Sequence, residues 1–181
     1  MTAAALRPAV FLDRDGTINV DTGYVGKPED VMLVTGAARA IARLNAAGIP
    51  VVVVTNQSGI GRGLFTEADY RAVERRIGEL LAAEGARVDA TYHCPHAPDT
   101  PCECRKPGTK LFREAASALG IDLARSWYIG DRLRDIEPAA AFGGTGILVP
   151  RHTTPDADVV GAGARFIVAT SLDAAVSRVL S

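Results

Sequence analysis

The sequence predicts an α/β protein: a Rossmann-like doubly wound, mostly parallel sheet with helices on both faces. Three observations predict it. Apolar, β-branched runs such as IPVVVVTN alternate with amphipathic stretches of helical length. These runs are too continuous for strands with one wet face, which would alternate apolar and polar residues. Strands separated by helices of this length join in parallel through crossovers. The polar residues of chemical interest also cluster where the runs end: Asp13, Asp15, Thr55, Asn56 and Asp131. Ligands of such sheets bind beyond the carboxyl ends of the strands.

Taken in order, PAVFLD (8–13) reads as a buried strand, and 36–47 as a helix closed by Gly48, a residue suited to a left-handed C-cap. IPVVVVTN (49–56) is the second strand. Thr66 then N-caps a helix to Ala83, with Glu67 and Asp69 in its first turn. VDATYHC (88–94) is the third strand and the Cys/Pro-rich stretch 94–107 a loop. A helix over 109–119, a strand SWYIGD (126–131), a helix over 133–142 and a strand TGILVP (145–150) follow. RFIVA (165–169) and a helix from Ser171 close the chain. No repeat, low-complexity tract or linker interrupts it, so one domain over 1–181 is expected.

The 181 residues can bury a substantial core without disulfides. Twenty Lys and Arg oppose 21 Asp and Glu, a net charge of −1, so the basic footprint of a nucleic-acid binder is missing. Small anions stay possible, because a pocket can be locally positive on a neutral protein. No apolar run has bilayer length, and MTAAALRPAVFLDRD lacks the layout of a secretory leader. The expectation is a cytoplasmic protein, without membrane or nucleic-acid partner, able to work as a monomer.

In Asp13-Arg14-Asp15-Gly16-Thr17 two carboxylates straddle one residue and a glycine follows. One alone would often be a turn cap. Together they offer oxygens to a hard cation such as Mg²⁺, with one carboxylate able to attack phosphorus and the other to handle the leaving-group proton. Thr55-Asn56-Gln57-Ser58-Gly59 is a plausible turn by itself; at a strand end its hydroxyl and backbone N–H groups can grip phosphate oxygens. Arg105 and Lys106 read alone as a solvated basic pair, or as a clamp and a fixed positive charge for phosphoryl oxygens. Asp131, after a buried strand and Gly130, sits where a second carboxylate ligand for the same Mg²⁺ is wanted. Asp135 could ligate through water, orient Lys106, or cap the helix from Leu133.

In this order, DxDGT, a strand-end Thr, a downstream Lys and GDxxxD resemble the four signature motifs of the haloacid-dehalogenase superfamily, to about residue 150. The resemblance implies Asp13 as nucleophile and Asp15 as general acid, then base. It implies Thr55 and Lys106 on the phosphoryl oxygens. Mg²⁺ would be held by Asp13, the carbonyl of Asp15, and Asp131.

Cys94-x-His96, five residues, then Cys102-x-Cys104 supplies three thiolates and an imidazole, a set that suits closed, tetrahedral, structural zinc. Three cysteines within eleven residues fit a metal site better than a disulfide framework. His93 faces away if the strand continues, and is left out. Zinc would fix the loop delivering Arg105 and Lys106.

Within the superfamily this loop is similar to those of the D-glycero-D-manno-heptose 1,7-bisphosphate 7-phosphatases and of histidinol-phosphate phosphatase. FLDRDGTINVDTGYVGKPED and VTNQSGIGRGLFTEADY resemble the heptose family. That resemblance implies a small sugar-bisphosphate substrate, bound by Asp21, Thr22, Gly23, Tyr24, Thr55, Asn56, Gln57, Ser58, Arg105, Lys106 and Arg132. Arg132 is a departure, since Lys is common there, and the five-residue spacing before Cys102 is nearer the histidinol form. No insertion after the first two strands is large enough for a cap domain. The second phosphate would then meet Arg62, Arg105 or Arg132.

Overall fold

Alternate residues of the central strands face opposite sides, and both sides are buried: Val10, Leu12, Val51, Val53 and Ile129 on one, Phe11, Val52, Val54 and Tyr128 on the other. This pattern of a strand buried on both faces is what the continuous apolar runs encode. The computed structural model describes residues 5–181. The first four, part of the stretch read above as lacking a leader, lie outside the described residues.

The order is β1 (Val10–Leu12), α1 (Ala37–Ala46), β2 (Val51–Asn56), α2 (Ser58–Gly61), α3 (Glu67–Ala83) and β3 (Ala90–Cys94). Then come α4 (Lys110–Leu119), β4 (Trp127–Gly130), α5 (Leu133–Ile136), α6 (Pro138–Phe142), β5 (Thr145–Leu148), α7 (Asp156–Gly163), β6 (Ile167–Val168) and α8 (Leu172–Val179). The six strands pair in parallel in the order β3-β2-β1-β4-β5-β6. The chain winds outward from β1 to β3, then returns to the other side of β1, so a crevice opens between the ends of β1 and β4.

Helices α1, α3 and α8 cover one face, with Ile41, Leu44, Val73, Ile77 and Val176 buried. Helix α4 covers the other through Leu111, Phe112 and Ala115, and Phe112 meets Phe11 edge-on at 5.2 Å. Thr66 and Asp69 form the reciprocal cap that starts α3. The helix expected over 133–142 is two short ones, because Pro138 has no N–H to continue the ladder. Helices α2 and α7 were not anticipated: α2 is one turn long, and α7 lacks an apolar stripe of regular helical period. No helix among the described residues is long and apolar enough to cross a membrane.

Candidate active site

Asp13 follows β1 directly, its N–H donating to the Ile129 carbonyl of β4 (3.0 Å), so its carboxylate is placed over the crevice. Lys106 Nζ donates to Asp13 Oδ1 (2.6 Å), to the Val54 carbonyl (2.6 Å), and pairs with Asp135 Oδ1 (2.8 Å). Asn56 holds the same lysine by its backbone, accepting from Lys106 N (2.9 Å) and donating to its carbonyl (3.3 Å). A lysine 3% exposed is thereby tied to β1, β2 and α5 at once.

Asp131 and Asp135 arrive from the other side of the crevice, after β4. Oxygens of Asp13, Asp131 and Asp135 all lie within 4.8 Å of one another. Two glycines make this crowding possible. A Cβ on Gly16 would stand 2.5 Å from Asp131 Oδ2, and one on Gly130 only 2.3 Å from Asp135 Cβ. Gly16 also adopts φ +88°, a conformation that favours glycine.

Burial, reinforced by Asp135, pushes the Asp13 carboxyl up to about 8 despite Lys106. Burial and Asp135 likewise push Asp131 to about 7, against Arg132. Burial works to lower Lys106, but Asp13 and Asp135 outweigh it and hold the ammonium above its ordinary value. Three carboxylates therefore crowd a site in which Lys106 is the buried cation they share. Asp131 Oδ2 is buried without a hydrogen-bond donor; Arg132 Nε stands 3.4 Å away but is not aligned. Hard oxygen donors, surplus negative charge and an orphaned carboxylate oxygen fit a divalent cation such as Mg²⁺. Asp135 is less available: besides Lys106 it accepts the Arg132 N–H (3.0 Å) and caps α5, so two of its three anticipated roles are realised together.

Asp15 is turned the other way. Its carboxylate accepts from Arg14 (Nη2 at 3.0 Å), Asn19 Nδ2 (2.8 Å) and Gln57 Nε2 (2.8 Å). Gln57 also donates to Thr55 Oγ1 (2.9 Å), linking the expected general acid to a residue expected on the phosphoryl oxygens. Arg14 is fully buried, shared between Asp15 and Glu74 of α3 (2.9 Å), with Tyr70 beside it at 5.4 Å. No motif gives Arg14 or Glu74 a part; the place of Arg14 between two aspartates is the sequence signal for one of them.

The cleft above holds about 380 Å³, lined by Asp13, Asp15, Thr55 and Asp131 at its floor. Asp21, Gly23, Tyr24, Asn56, Gln57, Ser58, Arg62, Arg105, Arg132 and Arg134 form its walls. Arg134 was not anticipated. Thr22 and Lys106 are not among the lining residues, and Lys106 works from beneath. Arg62 lies 5.9 Å from the Tyr24 ring, and Arg105 Nη1 is buried without a partner.

Beside the cleft, Cys94, His96, Cys102 and Cys104 bring their ligand atoms within 4.8 Å of one another. Tetrahedral zinc with bonds of ~2.3 Å wants ligands roughly 3.8 Å apart. Cys94 Sγ stands 3.7 Å from Cys102 Sγ and 3.5 Å from His96 Nδ1, while Cys104 Sγ, 2.7 Å from Cys94 Sγ, would move outward to share the ion. Burial raises the Cys94 thiol to about 12, so without a metal it keeps its proton. The loop is pinned at its start, where Gln57 N donates to the Cys94 carbonyl and Gly61 N to Pro95 (both 2.8 Å). His93 faces the opposite way, 3.1 Å from Glu67 and tilted against the Tyr70 ring at 4.1 Å, as its omission from the ligand set requires.

A family model described as HAD-hydrolase-like matches residues 103–175. The D-glycero-beta-D-manno-heptose-1,7-bisphosphate 7-phosphatase of Rhodopseudomonas palustris is 46% identical over 151 residues, 79% of this chain and 84% of that protein. The chain belongs to this phosphatase family. The family's Escherichia coli K12 member is 42% identical over 161 residues, 83% of this chain and 84% of its own. Among solved structures, the D,D-heptose 1,7-bisphosphate phosphatase of B. bronchiseptica, complexed with magnesium and phosphate, superposes with a TM-score of 0.86. It is 36% identical and covers 96% of this chain and 98% of that one.

Proposed function

We propose that the protein is a Mg²⁺-dependent phosphatase that removes the 7-phosphate of D-glycero-D-manno-heptose 1,7-bisphosphate through an aspartyl-phosphate. The observation that carries the reading is the ionic knot of Asp13, Lys106, Asp131 and Asp135 under a cleft walled by four arginines. The names of its relatives support the substrate, and favour the β anomer.

Asp13 is the nucleophile: a carboxylate oxygen attacks phosphorus, and the sugar oxygen leaves with a proton from Asp15. Asp15 then takes a proton from the water that opens the acyl phosphate. Lys106 and Thr55 bear on the phosphoryl oxygens as charge develops on them. Asp13, the Asp15 carbonyl and Asp131 would hold Mg²⁺. When bound, this ion keeps Asp13 ionised and neutralises charge on the transferring group.

With no cap domain among the described residues, selectivity falls to the loop Asp21–Tyr24 and to Ser58, Arg62 and the zinc loop. Asn56 and Gln57 support Lys106, Thr55 and Asp15 from the wall. One substrate phosphate lies against Asp13, Thr55 and Lys106, and the other meets Arg62, Arg105, Arg132 or Arg134. Cys94, His96, Cys102 and Cys104 would hold structural zinc. The chain acts as one cytoplasmic, monomeric domain over 1–181.

The test is kcat/KM for both heptose bisphosphate anomers and for histidinol phosphate on one preparation. Preference for the β-heptose bisphosphate is expected; faster turnover of histidinol phosphate would sink the assignment. Single Ala changes at the four arginines should penalise the bisphosphate more than a monophosphate. Equal penalties would remove them from the second phosphate.

A further inference from the structure

The turn after β5 carries no role in the reading above, yet it reaches both halves of the metal cluster. Arg151 Nε donates to the Gly16 carbonyl (2.9 Å), directly after Asp15. Thr154 Oγ1 donates to the carbonyl of Asp131 (2.7 Å). The two are joined to each other: Arg151 N–H donates to Thr154 Oγ1 (2.8 Å), and Thr154 N–H to the Arg151 carbonyl (3.0 Å). One step further, Asp158 Oδ2 accepts from Leu133 N (3.0 Å), bracing the start of α5.

We infer that Arg151 and Thr154 are positioning residues that tie the Gly16 turn to the Asp131 turn and thereby set the affinity of the carboxylate cluster for Mg²⁺. This rests on the metal reading above. The two turns follow different strands, β1 and β4, and their side of closest approach is the unfilled space at Gly16, against the Asp131 carboxylate. Nothing covalent keeps that spacing. Drift of either turn away from the other would carry the Asp131 oxygens out of the 4.8 Å cluster they form with Asp13 and Asp135. The strap opposes it by anchoring each turn through a main-chain carbonyl, leaving the carboxylate oxygens unspent. Partners of this kind, one bond removed from the ligands, hold ligand geometry at little cost to the ligands' own donor capacity.

Direct Mg²⁺ binding, by calorimetry on the metal-free protein, tests this in wild type, Arg151→Ala, Thr154→Val and Thr154→Ser. Wild type and Thr154→Ser, which keeps the hydroxyl, are expected to bind alike. Thr154→Val and Arg151→Ala should weaken Mg²⁺ by roughly tenfold or more. The Mg²⁺ concentration for half-maximal activity should rise in parallel, with kcat at saturating Mg²⁺ within about threefold. If Arg151→Ala fails to fold, Thr154→Val carries the test, being nearly the same size and shape. Unchanged Mg²⁺ affinity in Thr154→Val, with wild type binding normally, overturns the strap alone. A wild type that binds no Mg²⁺ overturns the metal reading and the strap with it.

Discussion

The carboxylate knot and the cysteine loop are both metal-shaped, but they are held in opposite ways. The knot is built from strand ends. Lys106 is gripped by β1, β2 and α5 through five contacts, and the surrounding sheet buries it whether or not a cation is present. The loop leaves the sheet at Cys94 and returns at Lys106, with little apolar surface of its own. Cys94 is buried, but Cys102 is half-buried and Pro101 and Glu103 are exposed. A fold-supported site should survive loss of its ion, whereas a loop without a core should not.

Four experiments press on that difference, the largest effect first. Asp13→Asn keeps the shape but removes the nucleophile. It is expected to reduce kcat by about 10⁴-fold or more, with no phosphoenzyme in acid-quenched samples. Activity equal to wild type would end the covalent mechanism.

Stripping zinc, or Cys94→Ser, should reduce kcat/KM for the bisphosphate by roughly 10–100-fold. Because Arg105 depends on the loop while Lys106 is tied to the strands, KM should rise more than kcat falls. Limited proteolysis should cut between 95 and 105 while the circular dichroism of the sheet persists. A collapse of kcat at constant KM would mean that the loop, not the strands, holds Lys106.

Gly16→Ala forces a Cβ against the Asp131 carboxylate at a backbone φ of +88°. A loss of about 1–3 kcal/mol in chemical unfolding is expected, together with weaker Mg²⁺ binding. Gly63→Ala has the same backbone strain without the crowding, since nothing stands within 4 Å of its would-be Cβ. It should lose stability but keep metal affinity.

The smallest effect is on pH dependence. Asp13 and Asp131 have folded values near 8 and 7, above the ordinary carboxylate value of 3.8. Between those limits the folded, metal-free protein holds more protons than the unfolded chain. Its stability is therefore complete below pH ~4 on account of these groups and falls as pH rises toward 8. Melting scans without metal should show that decline over pH 5–8. Saturating Mg²⁺ should flatten it, because the cation replaces the protons. A metal-free melting temperature that rises across this range would contradict the buried-carboxyl description.

Much of this was legible in the chain because the information is local. The β-branched runs, the glycine at the end of α1 and the reciprocal cap of α3 depend on residues within a turn or two of one another. So do the DxD, CxH and CxC spacings. What was not legible depends on partners far away in sequence. Helix α7 has no clean apolar stripe because it packs against α5 and β6 at the edge of the sheet rather than lying along a broad core face. Gln57 and Asn56 look like substrate-facing amides in a turn; only across β2 and the zinc loop do they find Asp15 and Lys106.

The chain by itself determined which chemical groups exist and that they fall at strand ends, since strand period and motif spacing are short-range properties. Only the tertiary structure decided how those groups divide the work. Lys106 meets Asp13 across 93 residues and Arg151 meets Gly16 across 135. Such pairings are set by how the sheet winds and by the room that Gly16 and Gly130 leave, neither of which is written in local spacing. Burial then does the rest: it holds the Asp13 and Asp131 carboxyls above their ordinary range, where a cation is needed for both to carry full charge.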